Sequence, residues 1–145
     1  MRRPVVVAAI LLLGVTSALA AQDRQVVNVP GATSGLPFSS SVRTGNLLFL
    51  SGQIGTTSAG LVPGGIRAEV RQTLENIRGV LEASGSSLSR VVKCTVFLAD
   101  IADFAAMNEV YRSYFPQDPP ARSTIAASGL VLGARVEIEC IAAVG

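Results

Sequence analysis

Arg122 and Glu137 are the residues of this chain whose types point most directly to chemistry on a small acid. Arg122 follows Pro119-Pro120 in an extended run and shares one face of that run with Thr124. The planar guanidinium of an arginine binds a carboxylate through two parallel hydrogen bonds. Glu137 lies in the last extended run, and a carboxyl group in a partly dry cleft can hold a water molecule or move a proton. Two further polar candidates are Ser51, within Ser51-Gly52-Gln53, and Asn108.

The same residues also fit a structural role, in which Arg122 and Glu137 form an ion pair and the other polar groups act as caps. Residue types alone leave both interpretations open. Composition excludes several kinds of catalytic site, because the 145-residue chain contains no histidine. Imidazole bases, histidine triads and most zinc sites are therefore excluded. Cys94 and Cys140 form no Cys-x-x-Cys motif, so a thioredoxin-type or iron–sulfur site is excluded too.

The first 20 residues have the pattern of a secretory signal peptide. Arg2 and Arg3 precede an apolar run, and Ala18-Leu19-Ala20 is a small-x-small cleavage site. The apolar run is shorter than the ~20 residues that a membrane span needs. We expect cleavage after Ala20, one domain over residues 21–145, a periplasmic or secreted location and no membrane association of the mature chain. An uncleaved N-terminal anchor is the alternative.

Charge disfavours a nucleic-acid partner. The chain has 12 basic and 10 acidic residues, and loss of Arg2 and Arg3 with the signal peptide makes the two counts equal. A neutral chain has no general electrostatic attraction for nucleic acid. Every cation except Lys93 is an arginine, which favours specific contacts to carboxylate or phosphate.

Hydrophobic periodicity predicts two helices among six strands, in the order β-β-β-α-β-α-β-β. The first helix is predicted at 66–84 from the apolar stripe Ile66, Val70, Leu74, Ile77 and Leu81. The second is predicted at 104–115, with Asp103 as N-cap and a buried side of Phe104, Met107, Tyr111 and Tyr114. The strands are predicted at 25–28, 39–44, 46–53, 91–98, 122–127 and 135–143, with a surface loop at 56–65.

In the predicted strands 91–98 and 135–143, alternate residues form an apolar set, and strand parity places each set under the helices. The sets are Val92, Cys94, Val96 and Leu98, and Val136, Ile138, Cys140 and Ala142. Two helices can cover only one face of a sheet within a monomer. The opposite face mixes charged with apolar residues: Lys93, Thr95, Phe97, Glu137, Glu139 and Ile141. A half-apolar face of this kind is typical of an oligomer interface.

Six segments, in this order and spacing, resemble the RidA/YjgF family. They are Ser51-Gly52-Gln53-Ile54-Gly55, 71–77, 93–100, 103–115, Pro120-Ala121-Arg122-Ser123 and Val136-Glu137-Ile138-Glu139. The resemblance covers about residues 37–143. It implies a chorismate-mutase-like α/β (α+β) fold, with one mixed sheet and two helices on one face. It also implies a homotrimer whose sheets pack together in a central barrel, with pockets at the subunit clefts.

The resemblance implies hydrolysis of reactive enamines and 2-imino acids, such as 2-aminoacrylate, to 2-oxo acids and ammonia. The enzyme would be a 2-iminobutanoate/2-iminopropanoate deaminase-like hydrolase. Arg122 falls on the family's substrate-binding arginine, and Glu137 on its water-holding or proton-donating glutamate. Neither a metal nor a cofactor is expected, because an iminium carbon is already electrophilic. The pocket would be lined further by Phe38, Ser51, Asn108 and Thr124.

Two of these pocket positions depart from the family pattern, since Phe38 replaces a tyrosine and Thr124 replaces a cysteine. One alternative function is therefore a non-catalytic trimeric binding protein for small carboxylates. Another is ribonuclease activity, which is also attributed to the family. The lack of net charge and of histidine argues against it.

Cys94 and Cys140 would face the helices from neighbouring strands in the fold that the resemblance implies. An oxidising compartment would permit a disulfide between them. Not every register of paired strands offers usable geometry, and a buried free cysteine is a common core residue. We therefore expect two buried thiols, with a disulfide as the alternative.

Overall fold

The computed structural model describes residues 24–29 and 35–145. Its strands are β1 (Gln25–Val27), β2 (Ser41–Thr44), β3 (Leu47–Leu50), β4 (Gln53–Ile54), β5 (Thr56–Thr57), β6 (Gly60–Leu61), β7 (Val91–Leu98), β8 (Ala121–Ala126) and β9 (Val136–Ala143). Its α-helices are α1 (Ile66–Ala83) and α2 (Phe104–Tyr114). Neither of them is long and apolar enough to cross a bilayer. The predicted signal peptide and the domain boundary at residue 21 lie outside the described residues.

Strand β9 lies near the centre of the main sheet, whose strand order is β1-β2-β3-β9-β7-β8. Strand β4 also pairs with β9, so that β3 and β4 follow each other along one side of it. The β7–β8 pair is parallel and all other pairs are antiparallel, so the sheet is mixed as predicted. Residues 51–52 divide the predicted strand 46–53 in two. The predicted loop at 56–65 contains the small hairpin β5–β6.

Helix α1 forms where its apolar stripe predicts it, and the stripe is buried. The helix ends before Gly85, whose φ of 75° lies in the left-handed region that favours glycine. There the amide of Ser86 donates to the carbonyl of Leu81 at 2.8 Å, which closes the last turn.

Helix α2 also forms where predicted, with Asp103 at its N-cap position, but the capping hydrogen bond expected there is absent. The Asp103 carboxylate instead accepts two hydrogen bonds from the Arg135 guanidinium, at 2.8 and 2.9 Å. The backbone N–H of Arg135 donates to the Glu69 carboxylate at 2.7 Å. Arg135 therefore joins both helices to the start of β9. Phe104 also differs from the prediction, since 40% of it is exposed.

The core lies between the two helices and one face of the sheet. It contains the helix stripes together with alternate residues of β3, β7 and β9. In β9 these are Val136, Ile138, Cys140 and Ala142, as strand parity predicts. The opposite face, here called the open face, carries the remaining residues of the same strands, and Phe49 on it is 42% exposed. No part of the described chain covers the open face with a helix.

Strand parity fails at the start of β7, because the register with β9 shifts between Val91 and Lys93. A β-bulge of this kind inserts one extra residue and reverses the alternation on its N-terminal side. Val91 is therefore buried, whereas the predicted core residue Val92 is 48% exposed. From Cys94 onward the parity holds.

Cys94 and Cys140 form a disulfide, so the expectation of two buried thiols is wrong. The two residues are direct partners in the antiparallel β7–β9 register, with Cα atoms 4.2 Å apart. Directly opposed residues this close belong to a pair without backbone hydrogen bonds, where side chains on the same face approach most closely. The bridge crosses the centre of the sheet under the helices, since both residues are in the core.

We predict that protein purified without reductant yields no alkylatable thiol after denaturation, and an intact mass two hydrogens below that of the dithiol. Reducing the bridge should lower the free energy of unfolding by about 2–4 kcal/mol, because the cross-link restricts the unfolded chain. Urea unfolding of the oxidised and reduced protein measures the difference. The double variant Cys94→Ala/Cys140→Ala is the control, and reductant should not affect it. Two free thiols in the denatured, unreduced chain would contradict the prediction.

Candidate functional site

Arg122 lies on the edge strand β8 with its guanidinium against aromatic rings. Its Cζ is 4.7 Å from the centre of the Tyr111 ring and 5.7 Å from that of Phe104. Its Nη1 is 3.9 Å from the sulfur of Met107. A cation over an aromatic face is attracted by the ring quadrupole. Helix α2 therefore holds the guanidinium in place through its aromatic side chains.

A cleft of ≈ 420 Å³ opens between α2 and the start of β8. Helix α2 contributes side chains at spacings of three and four residues, which lie on one helix face. The lining residues are Asn108, Tyr111, Arg112, Phe115, Pro119, Pro120 and Arg122. They include no carboxylate, and Arg122 forms no ion pair with the described part of the chain. The cleft thus combines an unpaired cation with apolar walls, as in many small-acid sites.

Tyr111 supports Arg122 and carries a hydroxyl group of its own. The residue is buried, and its hydroxyl has no hydrogen-bond partner within residues 24–29 and 35–145. Burial raises the pKa of Tyr111 to about 12, although the nearby positive charge of Arg122 acts in the opposite direction. The phenol therefore stays protonated near neutral pH and cannot act as a base there.

Glu137 lies on the open face of the sheet, next to β4 and β7. Its Cα partners are Ile54 on one side and Phe97 on the other. A Cβ at Gly52 would collide with the Glu137 carboxylate, so this carboxylate lies directly over the glycine. Burial, and to a lesser degree the charge of Glu139, raises the pKa of Glu137. This carboxyl group therefore retains its proton to a higher pH than an exposed glutamate does.

Ser51 precedes Gly52 and is hydrogen-bonded to the residues that follow Phe38. The hydroxyl of Ser51 donates to the carbonyl of Ser39 at 2.7 Å, and its amide donates to the carbonyl of Ser40 at 3.1 Å. These bonds fix the segment that carries Phe38, of which 49% is exposed. The Ser51 hydroxyl uses its proton within the chain, so only its lone pairs are free for a ligand.

The six predicted site residues therefore form two groups. Arg122, Thr124 and Asn108 lie on the helix side of the sheet, where Cys94 and Val96 are the buried Cα partners of Arg122 and Thr124. Glu137, Ser51 and Phe38 form the second group, and the Glu137 side chain is on the open face. Strand β7 lies between β8 and β9, so the sheet separates Arg122 from Glu137. Within one copy of the described chain, Arg122 and Glu137 form no ion pair.

Sequence reasoning missed three side chains near Arg122, of which Tyr111 and Arg112 line the cleft. Tyr111 and Phe104 were predicted only as core residues, yet they contact the guanidinium. Arg112 lies four residues after Asn108, so both line the cleft from one face of the helix. This spacing is visible in the sequence and could have identified Arg112. Within the described residues no cluster of three or more His, Cys, Asp or Glu side chains has the arrangement of a metal site.

Known proteins match the chain along most of its length. Residues 30–144 match the sequence profile of the family described as Endoribonuclease L-PSP. The chain is 46% identical over 120 residues to Protein mmf2, mitochondrial, of Schizosaccharomyces pombe, which is 81% of this chain and 95% of that protein. It is 41% identical over 125 residues to the 2-iminobutanoate/2-iminopropanoate deaminase of Mus musculus, which is 84% of this chain and 93% of that protein.

The fold is similar to the crystal structure of the YjgF gene product from E. coli. The TM-score is 0.76 with 34% sequence identity, over 82% of this chain and 98% of that one. The mixed α+β fold class, with one main sheet and two helices, is thereby confirmed.

We predict that Gly52→Ala displaces the Glu137 carboxyl group towards water, because the new methyl group takes the place that this carboxyl group now occupies beside residue 52. The pKa of Glu137 should then fall towards the ordinary value for a glutamate, since less of the carboxyl group is desolvated. Carbon-13 NMR titration of glutamate-labelled protein measures this change. Gly79→Ala is the control, because a Cβ there meets nothing within 4 Å. An unaltered titration of Glu137 in Gly52→Ala would contradict the described contact.

Proposed function

Because the chain belongs to the Endoribonuclease L-PSP family, the RidA/YjgF family that its motifs resemble, we propose that it hydrolyses 2-imino acids and enamines to 2-oxo acids and ammonia. The observation that carries this proposal is Arg122, an unpaired arginine held on an aromatic ring in a cleft without carboxylates. Relatives that are 41–43% identical are named deaminases, which supports the same enzyme class.

Arg122 would bind the substrate carboxylate. The ring centres of Tyr111 and Phe104 lie 4.7 and 5.7 Å from its Cζ, and one of its N–H groups faces the sulfur of Met107 at 3.9 Å. A carboxylate binds a planar guanidinium through two parallel hydrogen bonds. No acidic side chain competes for the guanidinium in the described part of the chain. The imine carbon, which is adjacent to the carboxylate carbon, would thereby take a fixed position at the mouth of the cleft.

The reaction needs one water molecule and two proton transfers. Water adds to the carbon of the protonated imine, so a C–O bond forms as the electron pair of the C=N double bond moves to nitrogen. One proton then passes from the added oxygen to the nitrogen, which makes the nitrogen a good leaving group. The C–N bond breaks with its electron pair going to nitrogen. The second proton passes from oxygen to the released ammonia, so the products are a 2-oxo acid and ammonium. The raised pKa of Glu137 suits a group that accepts a proton from oxygen and returns it to nitrogen.

Glu137 reaches such a substrate only if a second copy of the chain supplies it, because the sheet separates it from Arg122 of the same copy. We therefore place the active site in a cleft between copies, with Arg122, Asn108 and Thr124 from one and Phe38, Ser51 and Glu137 from the next. The open face supports such an assembly, since Phe49 and Ile125 on it are 42% and 50% exposed. A homotrimer with sheets packed together would bury this face. Phe38 would then add only apolar surface, because it lacks the hydroxyl of the family's tyrosine.

An exported location fits the covalent chemistry of the core. The Cys94–Cys140 disulfide is the kind of bond that persists in oxidising compartments and is rare in the cytosol. It supports, independently of the N-terminal pattern, the proposal that the first 20 residues are a signal peptide and that the mature protein is periplasmic or secreted. The imines would then arise from an oxidoreductase of amines or amino acids that works in the same compartment.

We predict that Arg122→Ala lowers kcat/KM for 2-iminopropanoate by about thirtyfold or more, because loss of a buried charge-assisted pair costs about 2–5 kcal/mol. Arg122→Lys should recover only part of this, since an ammonium group lacks the planar fork. The assay follows ammonia release from 2-iminopropanoate made in situ by an amino-acid oxidase. Arg24→Ala, an exposed arginine beside the opposite edge strand, is the control.

Two outcomes of this assay would contradict the proposal. If the wild-type protein binds pyruvate in calorimetry without accelerating imine hydrolysis, it is a carboxylate-binding protein. If Arg122→Ala keeps full activity, Arg122 does not bind the substrate.

A further inference from the structure

The cleft around Arg122 contains a second arginine that hydrolysis of a small monocarboxylate does not need. Arg112 lines the cleft from helix α2, and its side chain is exposed to solvent there. Within residues 24–29 and 35–145 it has no ion pair. The acidic residue nearest to it on α2, Glu109, already binds Arg67 at 2.7 Å. Asp118, in the segment before β8, also forms no ion pair with the described residues.

The two guanidinium groups approach one space from different elements. Arg112 immediately follows Tyr111, whose ring carries the Arg122 guanidinium at 4.7 Å. Arg112 and Asn108 are four residues apart, so they are neighbours on one helix face. Two unpaired cations in a cleft whose other polar side chains, Asn108 and Tyr111, are neutral give that cleft a positive potential. Such a potential favours ligands with more than one negative charge.

We propose that the preferred substrates of this site are 2-imino dicarboxylates, such as iminosuccinate and 2-iminoglutarate. This inference rests on the proposed deaminase function. Arg122 binds the carboxylate next to the imine carbon, and Arg112 binds the carboxylate at the far end of the side chain. The second carboxylate takes no part in the reaction, so the bonds made and broken are those of the hydrolysis described above.

The walls of the cleft fit the carbon chain between the two carboxylates. Phe115, Pro119 and Pro120 contribute apolar surface beside the arginines. The volume of ≈ 420 Å³ lies within the range of about 300–1,000 Å³ that is typical of small-molecule sites. A monocarboxylate with a methyl side chain would leave Arg112 without a partner. A dicarboxylate pairs both cations and places its methylene groups against the apolar wall.

The test compares kcat/KM for 2-iminoglutarate with that for 2-iminopropanoate, both made in situ by amino-acid oxidases. We expect the wild-type protein to prefer the dicarboxylate at least tenfold. Arg112→Gln should lower this preference at least fivefold, and Arg112→Lys should keep most of it because the positive charge remains. Arg24→Gln removes one positive charge beside the opposite edge strand of the sheet, and should leave the ratio unchanged. Calorimetry with 2-oxoglutarate and pyruvate measures the same selectivity without catalysis.

Each result separates this inference from the proposed function. Hydrolysis of both imines with no preference, or a preference that Arg112→Gln does not alter, overturns the dicarboxylate assignment and leaves the deaminase intact. If neither imine is hydrolysed, the deaminase proposal fails. In that case, tighter binding of 2-oxoglutarate than of pyruvate, dependent on Arg112, still supports a dicarboxylate site, and equal binding overturns it.

Discussion

The central constraint on this molecule is that two helices cover only one face of its main sheet. Alternation along β7 and β9 sends one set of side chains into the core and the other onto the open face. The same alternation assigns Arg122 to the helix side and Glu137 to the open face. The groups that the proposed chemistry needs are therefore presented on two surfaces of one chain. A complete site for the proposed chemistry then requires residues from two copies of the chain.

The parts of the fold that depend on residue periodicity were predictable. The stripe of α1 and the alternation of β9 are buried as expected, because burial of apolar side chains dominates over local preferences there. The bulge at Val91–Lys93 was not predictable, since a single inserted residue leaves no trace in an apolar run. The absence of a capping hydrogen bond from Asp103 was not predictable for a similar reason. Its carboxylate binds the guanidinium of Arg135, which lies 32 positions away in sequence.

The candidate site, like the fold, was only partly predictable from the sequence. The motif residues Arg122 and Glu137 were identifiable, and their strands were correct, but their separation by the sheet follows only from the strand order. The contacts of Arg122 with Tyr111 and Phe104 depend on how α2 crosses the end of β8, which no local pattern encodes. The disulfide is a comparable case. Parity placed both cysteines on one face, whereas only the register made them direct partners.

Hybrid oligomers test the central claim most directly, namely that Arg122 and Glu137 of different copies form one site. Arg122→Ala and Glu137→Gln chains, carrying different affinity tags, are co-produced and the mixed species are isolated by sequential capture. Each variant alone should be inactive. In the proposed homotrimer, the isolated mixed species should recover about a third of wild-type activity, because one of the three sites in each then receives an intact Arg122 from one copy and an intact Glu137 from the next. Mixed oligomers, verified by mass, that are no more active than their parents would contradict the account.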